Sequence, residues 1–288
     1  MTGPGLSTAR KMAVARGLFL CVQGLRRLAG RTTTEVSCRR RGAHWSLDIR
    51  EGVQLALYLG VYERATSRRL LEFARPGSIV LDVGANIGAH TLPLARAVGS
   101  QGRVVAVEPT DSAFARLVRN RSLNPDLEPR IVTVQSALGP PGAAAADGYY
   151  SSWPLQPVAS RHPILRGTRH AATGAKAVTL DDLVASLNLP RVDLVKIDVD
   201  GGELEVLAGA GGVIARDSPT VVFEACPYLL AERGRTLDEL LAYFLSRDYE
   251  LLDEASLRPV GDDLSKIAAA IPEGGSQNLV ARRAAPRP

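Results

Sequence analysis

The sequence predicts a doubly wound α/β fold: a mostly parallel sheet that ends in an antiparallel C-terminal strand pair. Three observations predict it. From residue 78 onward, short apolar runs alternate with segments of helical period. The run "SIVLDV" (78–83) is almost wholly apolar, as a strand is when helices cover both sides of a parallel sheet, and "RVVAVEP" (103–109) follows as a second strand. The first run also ends in an acid and a glycine turn, "VLDVGANIGAH" (80–90), a common way to hold a nucleotide at the end of a strand.

The elements follow in order. Residues 1–9 are expected to be disordered, and 10–29 to form a basic helix with Leu18, Val22, Leu25 and Leu28 on one face. "EVSCRRRGAHWSLDI" (35–49) alternates about an Arg-Arg-Gly turn and predicts a hairpin with Trp45, Leu47 and Ile49 on one side. Residues 51–74 read as helix, stopped at Pro76-Gly77. The strand 78–83 leads into a helix that runs to Val98, kinked or delayed in its start by Pro93. Strand 103–109, helix 111–120 and strand 130–138 come next. The interval 139–175 is rich in Gly, Pro, Ala and Ser, without period, and reads as a mobile loop or lid. "RVDLVKIDV" (191–199) is a strand, 203–208 a helix closed by Gly209, 219–225 a strand and 236–247 a helix. "YELLD" and "QNLVARR" form the closing antiparallel pair.

Charge divides the chain. Residues 1–50 carry ten Lys/Arg against Glu35 and Asp48, while the remainder is slightly acidic, for a net charge of +5. This suggests a basic arm and hairpin over 1–50 and a main domain over 51–288. The three cysteines are widely spaced without a C-x-x-C, which gives neither a disulfide framework nor a zinc site and suits a reducing cytosol. "RKMAVARGLFLCV" is broken by Arg16 and lacks a small-residue cleavage site, so it does not read as a signal peptide. No run approaches the roughly 20 apolar residues of a membrane span. The expected location is cytoplasmic, with residues 10–31 a candidate peripheral contact with a membrane.

The glycine turn discriminates between cofactors. A dinucleotide fold uses G-x-G-x-x-G to seat a pyrophosphate on a helix N-terminus. Here the spacing is Asp82-x-Gly84-x-Asn86-x-Gly88, which begins with an acid. S-adenosylmethionine has no phosphate and carries a sulfonium and an ammonium, which Asp82 would complement. Gly84 and Gly88 would let the backbone approach it closely. Glu108, at the end of the next strand, is placed to accept the two ribose hydroxyls. An NAD(P)-dependent oxidoreductase is the disfavoured alternative.

At this point the chain resembles the FkbM-type methyltransferases. "LDVGANIGAHTLPLA", "VVAVEP", "TLDDL", "VDLVKIDVDGGELEVLAGA" and "PTVVFEA" occur in that family's order, and the likeness covers about 45–283. It implies a Rossmann-like class I methyltransferase sheet, S-adenosylmethionine as cofactor, and a hydroxyl of a sugar, glycolipid or natural product as acceptor. By position in the family it also places Glu63, within "GVYE", near the methionine end of the cofactor. The sequence departs from the usual pattern at Asp200, Gly202 and His90.

Methyl transfer to an aliphatic hydroxyl needs a base or a metal near the acceptor. Asp198, at the end of the fourth strand, is the first candidate for base or for ligand to a divalent metal, and a partner of Lys196 in the alternative. Glu224, ending the fifth strand, and His90, just past the glycine turn, are further candidates. Glu203 and Glu205 open a helix, where acids suit the dipole. An RNA methyltransferase is a second alternative, prompted by the basic arm. That arm lacks aromatic residues interleaved for stacking on bases, so nucleic acid is not the expected partner.

Overall fold

The computed structural model describes residues 8–151, 153–158, 162, 167–261, 267–269, 271 and 275–284. It opens with helix α1 (Thr8–Leu28), then the hairpin β1 (Glu35–Arg40) and β2 (Ala43–Asp48), and helices α2 (Gly52–Leu59) and α3 (Arg64–Phe73). The wound part runs β3 (Ile79–Val83), α4 (Thr91–Ala97), β4 (Arg103–Val107), α5 (Asp111–Ser122), β5 (Ile131–Val134) and β6 (Ser136–Leu138). Next come β7 (Gly148–Ser151), β8 (Thr168–Ala171), β9 (Lys176–Val178), α6 (Leu180–Ser186) and β10 (Leu194–Ile197). The last third holds α7 (Glu203–Ala208), α8 (Gly211–Asp217), β11 (Thr220–Ala225), α9 (Pro227–Glu232), α10 (Leu237–Leu245), β12 (Tyr249–Asp253) and β13 (Gln277–Arg283).

Among the described residues the central sheet has seven strands in the order β12-β13-β11-β10-β3-β4-β5. The five from β11 to β5 are parallel, and β13 pairs antiparallel with both β11 and β12. The doubly wound expectation and its antiparallel C-terminal pair are therefore observed. Alternation along the strands separates two apolar layers. Leu81, Val83, Val105, Val195, Ile197 and Phe223 face α6, α7, α8 and α10. Val80, Val104, Leu194, Val222 and Val280 face the hairpin and α2 to α4, and Trp45, Leu47 and Ile49 pack in that same layer as predicted. Arg41 and Gly42, both at positive φ, make the hairpin turn. The outer edge of β2 finds its hydrogen bonds in α5 and the turn just past it. Asn120 and Asn124, one helical turn apart, accept from the amides of Ser46 and His44, and Asn124 also donates to the His44 carbonyl.

Four expectations need correction. Residues 51–74 are two helices, because Gly60 at φ 76 and Glu63 at φ 32 turn the chain between them. The strand expected over 130–138 breaks at Gln135, and β6 leaves the central sheet to pair in parallel with β9. The interval 139–175 holds β7 and β8, which pair antiparallel, while part of it lies outside the described residues. Of the row expected on one face of α1, Leu18, Leu25 and Leu28 are exposed together, but Val22 turns toward the body beside Phe19 and Ala15. The predicted disorder over 1–9 falls on 1–7, outside the described residues, and on Thr8 and Ala9, which are helical. The prediction for Pro93 is met by a delayed start. α4 begins at Thr91, which puts Pro93 in the first turn, where its missing N–H has no helical partner to lose.

Candidate active site

Strand register assembles the site. Lys196 of β10 lies opposite Asp82 of β3 and Val222 of β11, so the next same-face positions, Gly84, Asp198 and Glu224, form a row at the carboxyl ends. Winding reverses direction between β3 and β10, and ligands in open α/β sheets bind at such a point. A cavity of about 930 Å³ opens there. Gly84, Ala85, Asn86 and Glu108 line one side, with Asp198, Asp200, Glu205 and Glu224 on another, and Tyr62, Glu63 and His90 complete the wall.

Gly84 sits at φ 75, and a Cβ there would lie 1.9 Å from the Asp198 carbonyl oxygen. Its freedom therefore serves the close meeting of two strand ends. Gly88, at φ 91, is crowded by Leu117 at 2.9 Å and does not line the cavity. The expectation that both glycines make room for a ligand is thus corrected for Gly88, which makes room for Leu117 away from the cavity, whereas Gly84 lines the cavity and also allows the close meeting with Asp198. The expectation for Asp82 is corrected as well. It is fully buried beneath the turn, accepts from Thr91 Oγ1 at 2.6 Å, and lies 3.4 Å from Lys196 Nζ, so it faces the protein and not the cavity.

Lys196 ties these parts together. Its ammonium donates to the Gly84 carbonyl at 2.8 Å and stands 3.4 Å from both Asp82 Oδ1 and Asp198 Oδ2. Burial works to lower its pKa, but Asp198, Asp82 and Glu63 outweigh that and raise it. Lys196 is thus a fixed cation. The pairing weighed for Asp198 and Lys196 is present, yet the Asp198 side chain remains 34% exposed to the cavity. Burial raises the Asp198 carboxyl above its ordinary range, with Lys196 pulling the other way and Glu63 adding to the rise. Glu224 and Asp200 are pushed well up, first by burial and then by neighbouring carboxylates that include Asp198.

Glu108 is held ready at the end of β4. Its Oε2 accepts from the Asn86 amide at 2.9 Å and its Oε1 from the Thr110 amide and hydroxyl. Pro109, Ala137 and Leu138 form an apolar wall next to it. His90 and Glu63 come together from 27 residues apart. His90 Nε2 donates to Glu63 Oε2 at 2.9 Å, and His90 Nδ1 faces Ser67 Oγ at 3.4 Å. Burial tends to raise the Glu63 carboxyl, and the His90 bond and charge outweigh it, leaving it lowered. Arg41, from the hairpin turn, binds the Tyr62 carbonyl and Ser67, which holds the strained Glu63 segment in place.

Among the described residues no group of three or more His, Cys, Asp or Glu side chains is placed to hold a metal ion. The donor set around Asp198 does not fit the divalent metal weighed for it. S-adenosylmethionine fits better. Buried carboxylates suit a cation, Glu108 retains acceptor capacity for a diol, and the buried Glu205 Oε2 faces the cavity region without a partner. The sequence alone reads Glu205 as a helix-dipole acid and does not single out Tyr62 or Arg41. One available signal was a lysine within the apolar run "LVKI".

Glu203 is fully buried and off the cavity. Its Oε1 accepts from the Val199 and Gly201 amides and its Oε2 has no partner. Burial pushes its carboxyl from 4.5 up to about 7. Such a group takes up a proton on folding between those values, so the fold loses stability as pH rises through that window. Glu203→Gln removes the loss. Its melting temperature relative to the parent should climb between pH 5 and pH 8, equivalent to roughly 2–3 kcal/mol. Parallel melting profiles over that range would show that Glu203 is ionised throughout.

A family model described as Methyltransferase FkbM domain matches residues 82–251. Hexuronic acid methyltransferase AglP of Haloferax volcanii is 33% identical over 147 residues, which is 51% of this chain and 56% of that protein. Methyltransferase 1 of Beauveria bassiana is 30% identical over 148 residues, 46% of this chain and 58% of its own. The chain therefore spans a little over half the length of these curated relatives. Among solved structures, methyltransferase FkbM from Methylobacillus flagellatus KT matches with a TM-score of 0.45 and 19% identity, over 72% of this chain and 44% of that one.

Proposed function

The chain belongs to the FkbM methyltransferase family, and from that premise we propose that it moves a methyl group from S-adenosylmethionine to a hydroxyl oxygen of a sugar. One observation carries the chemistry: Asp198 is a partly exposed carboxylate with a raised pKa, in line with the glycine turn at the winding switch. A base works best when its pKa approaches the working pH, and burial moves Asp198 in that direction. The kinship with a hexuronic acid methyltransferase supports a sugar acceptor. Trp153, Tyr149 and Tyr150 on the cavity wall offer aromatic faces to the C–H faces of a pyranose ring.

When bound, S-adenosylmethionine supplies an electrophilic methyl on a sulfonium. Glu108 would accept the ribose hydroxyls, and the turn 84–86 and the apolar wall beyond β4 would bound the cofactor. Asp198 would take the acceptor's hydroxyl proton, and the neutral thioether left when the methyl–sulfur bond breaks is the leaving group that the cofactor would supply. Lys196 is fixed by Asp82 and the Gly84 carbonyl, so it holds Asp198 in alignment, and alignment supplies much of the rate of an in-line displacement. Glu224 shares the row, and its raised pKa makes it a proton holder beside Asp198. His90 is committed to Glu63 and Ser67, so it shapes the wall and stands as the reserve base. The carboxylates about the cavity oppose a polyphosphate, which weighs against RNA as acceptor.

The test is transfer of label from methyl-labelled S-adenosylmethionine to hexuronic-acid oligosaccharide, neutral oligosaccharide, glycolipid and RNA. Label should enter a sugar hydroxyl. Label confined to RNA, or to nitrogen, overturns the reading. Calorimetry checks the cofactor part separately: Glu108→Ala should weaken S-adenosylmethionine binding by roughly 10- to 100-fold, as loss of a charged hydrogen-bond acceptor does.

A further inference from the structure

Helix α1 has two apolar faces, and the body uses one. Phe19 is buried in the layer that contains α2, and Met12 is buried on the same side of the helix. On the opposite side Val14, Leu18, Cys21, Leu25 and Leu28 recur at intervals of four and three, and all are exposed, Leu25 at 69% and Leu28 at 88%. Leu20, at 66%, lies on the flank of that row. A folded chain rarely leaves so continuous an apolar strip in water.

The charges around the strip choose its occupant. Arg16 and Arg27, both exposed, border the apolar face along the edge marked by Leu20, with Arg26 and Arg31 near its C-terminal end. No acid precedes Glu35 in the chain. A second copy of this helix would set like charges side by side, whereas an anionic surface gains from each base. An apolar strip with basic flanks is the pattern of helices that lie in the plane of a membrane interface. Among the described residues no helix is long and apolar enough to cross a membrane, and α1 is excluded by its arginines and lysine.

We propose that the outward face of α1 seats this protein on an anionic lipid bilayer. The arrangement of the fold gives the contact a use. α1 packs on α2, and the chain at either end of α2 reaches the cavity: Val53 at its start, and Tyr62 and Glu63 just past its end. A bilayer under α1 therefore lies one helix away from the cavity wall, in place to present an acceptor attached to lipid. The seating is independent of which sugar is methylated.

The test is flotation of the full chain with vesicles of phosphatidylglycerol and phosphatidylcholine, or of phosphatidylcholine alone, at low and high salt. The chain should float with the anionic vesicles at low salt and be released by salt. Arg16→Gln with Arg27→Gln should weaken binding by about 30-fold, roughly fivefold for each base. Leu18→Asp with Leu25→Asp should abolish flotation, and since both side chains are exposed, its melting temperature and cofactor affinity should match the parent's. Failure of the parent chain to float overturns the proposal, as does undiminished flotation of the aspartate pair. A concentration-dependent dimer abolished by the aspartate pair, without flotation, would assign the face to a second copy instead.

Discussion

Asp198→Asn should bind S-adenosylmethionine with near-parental affinity and transfer methyl at least ~100-fold more slowly, the effect expected when a general base is lost. The substitution keeps the shape of the side chain and an oxygen that accepts from Lys196. Lys196 also retains Asp82 and the Gly84 carbonyl, so the strand ends should stay where they are. Calorimetry and single-turnover transfer of labelled methyl separate the two effects. Transfer within about threefold of the parent would reduce Asp198 to a partner of Lys196 and pass the role of base to Glu224 or His90.

Gly84→Ala should be the most damaging small substitution in the chain. The added Cβ would collide with the Asp198 carbonyl at 1.9 Å, and backbone atoms at the junction of two buried strands have no rotamer by which to yield. The left-handed φ of 75 adds about 1–2 kcal/mol. A total of roughly 3 kcal/mol or more, with loss of cofactor binding, is the expected outcome in thermal melts and calorimetry. Gly60→Ala is the control, because Gly60 has a similar φ with nothing within 4 Å, so only the conformational cost of about 1–2 kcal/mol should appear. Equal losses in the two variants would show that the strand junction relaxes freely.

The parts legible in the sequence are those governed by short-range rules. Apolar runs of strand length, a glycine turn after the first of them and an acid ending the second placed β3, β4 and Glu108 correctly, and the topology of such sheets put Asp198 at the switch. The parts that were not legible depend on partners far along the chain. Nothing near Glu63 announces that Arg41 will hold it in a left-handed conformation or that His90 will meet it. The helical pattern of 51–74 continues across the break at Gly60, because periodicity carries no information on where a third element pulls the chain aside. The pairs β6–β9 and β7–β8 escaped notice because strands of three or four residues, mixed with Gly and Ala, have too few positions to show alternation. Asp82 was misread for a different reason. An acid at the end of an apolar strand looks like a ligand contact until the lysine opposite it, 114 residues later, is known to lie in register.

The placement of β13 has a consequence for how the chain is made. This strand, residues 277–283, lies between β11 and β12, and β12 joins the sheet only through it. During synthesis every other strand of the sheet leaves the ribosome first. Until β13 arrives, β11 presents an open edge with Val221 and Phe223 at the core, and β12 has nowhere to pair. An unpaired, apolar edge is a template for association with other chains. The nascent protein thus waits, with the strand ends that line the cavity already translated, for this one segment to close the sheet. Any truncation that removes 277–283 should be read first as a lesion of solubility, whatever it does to methyl transfer.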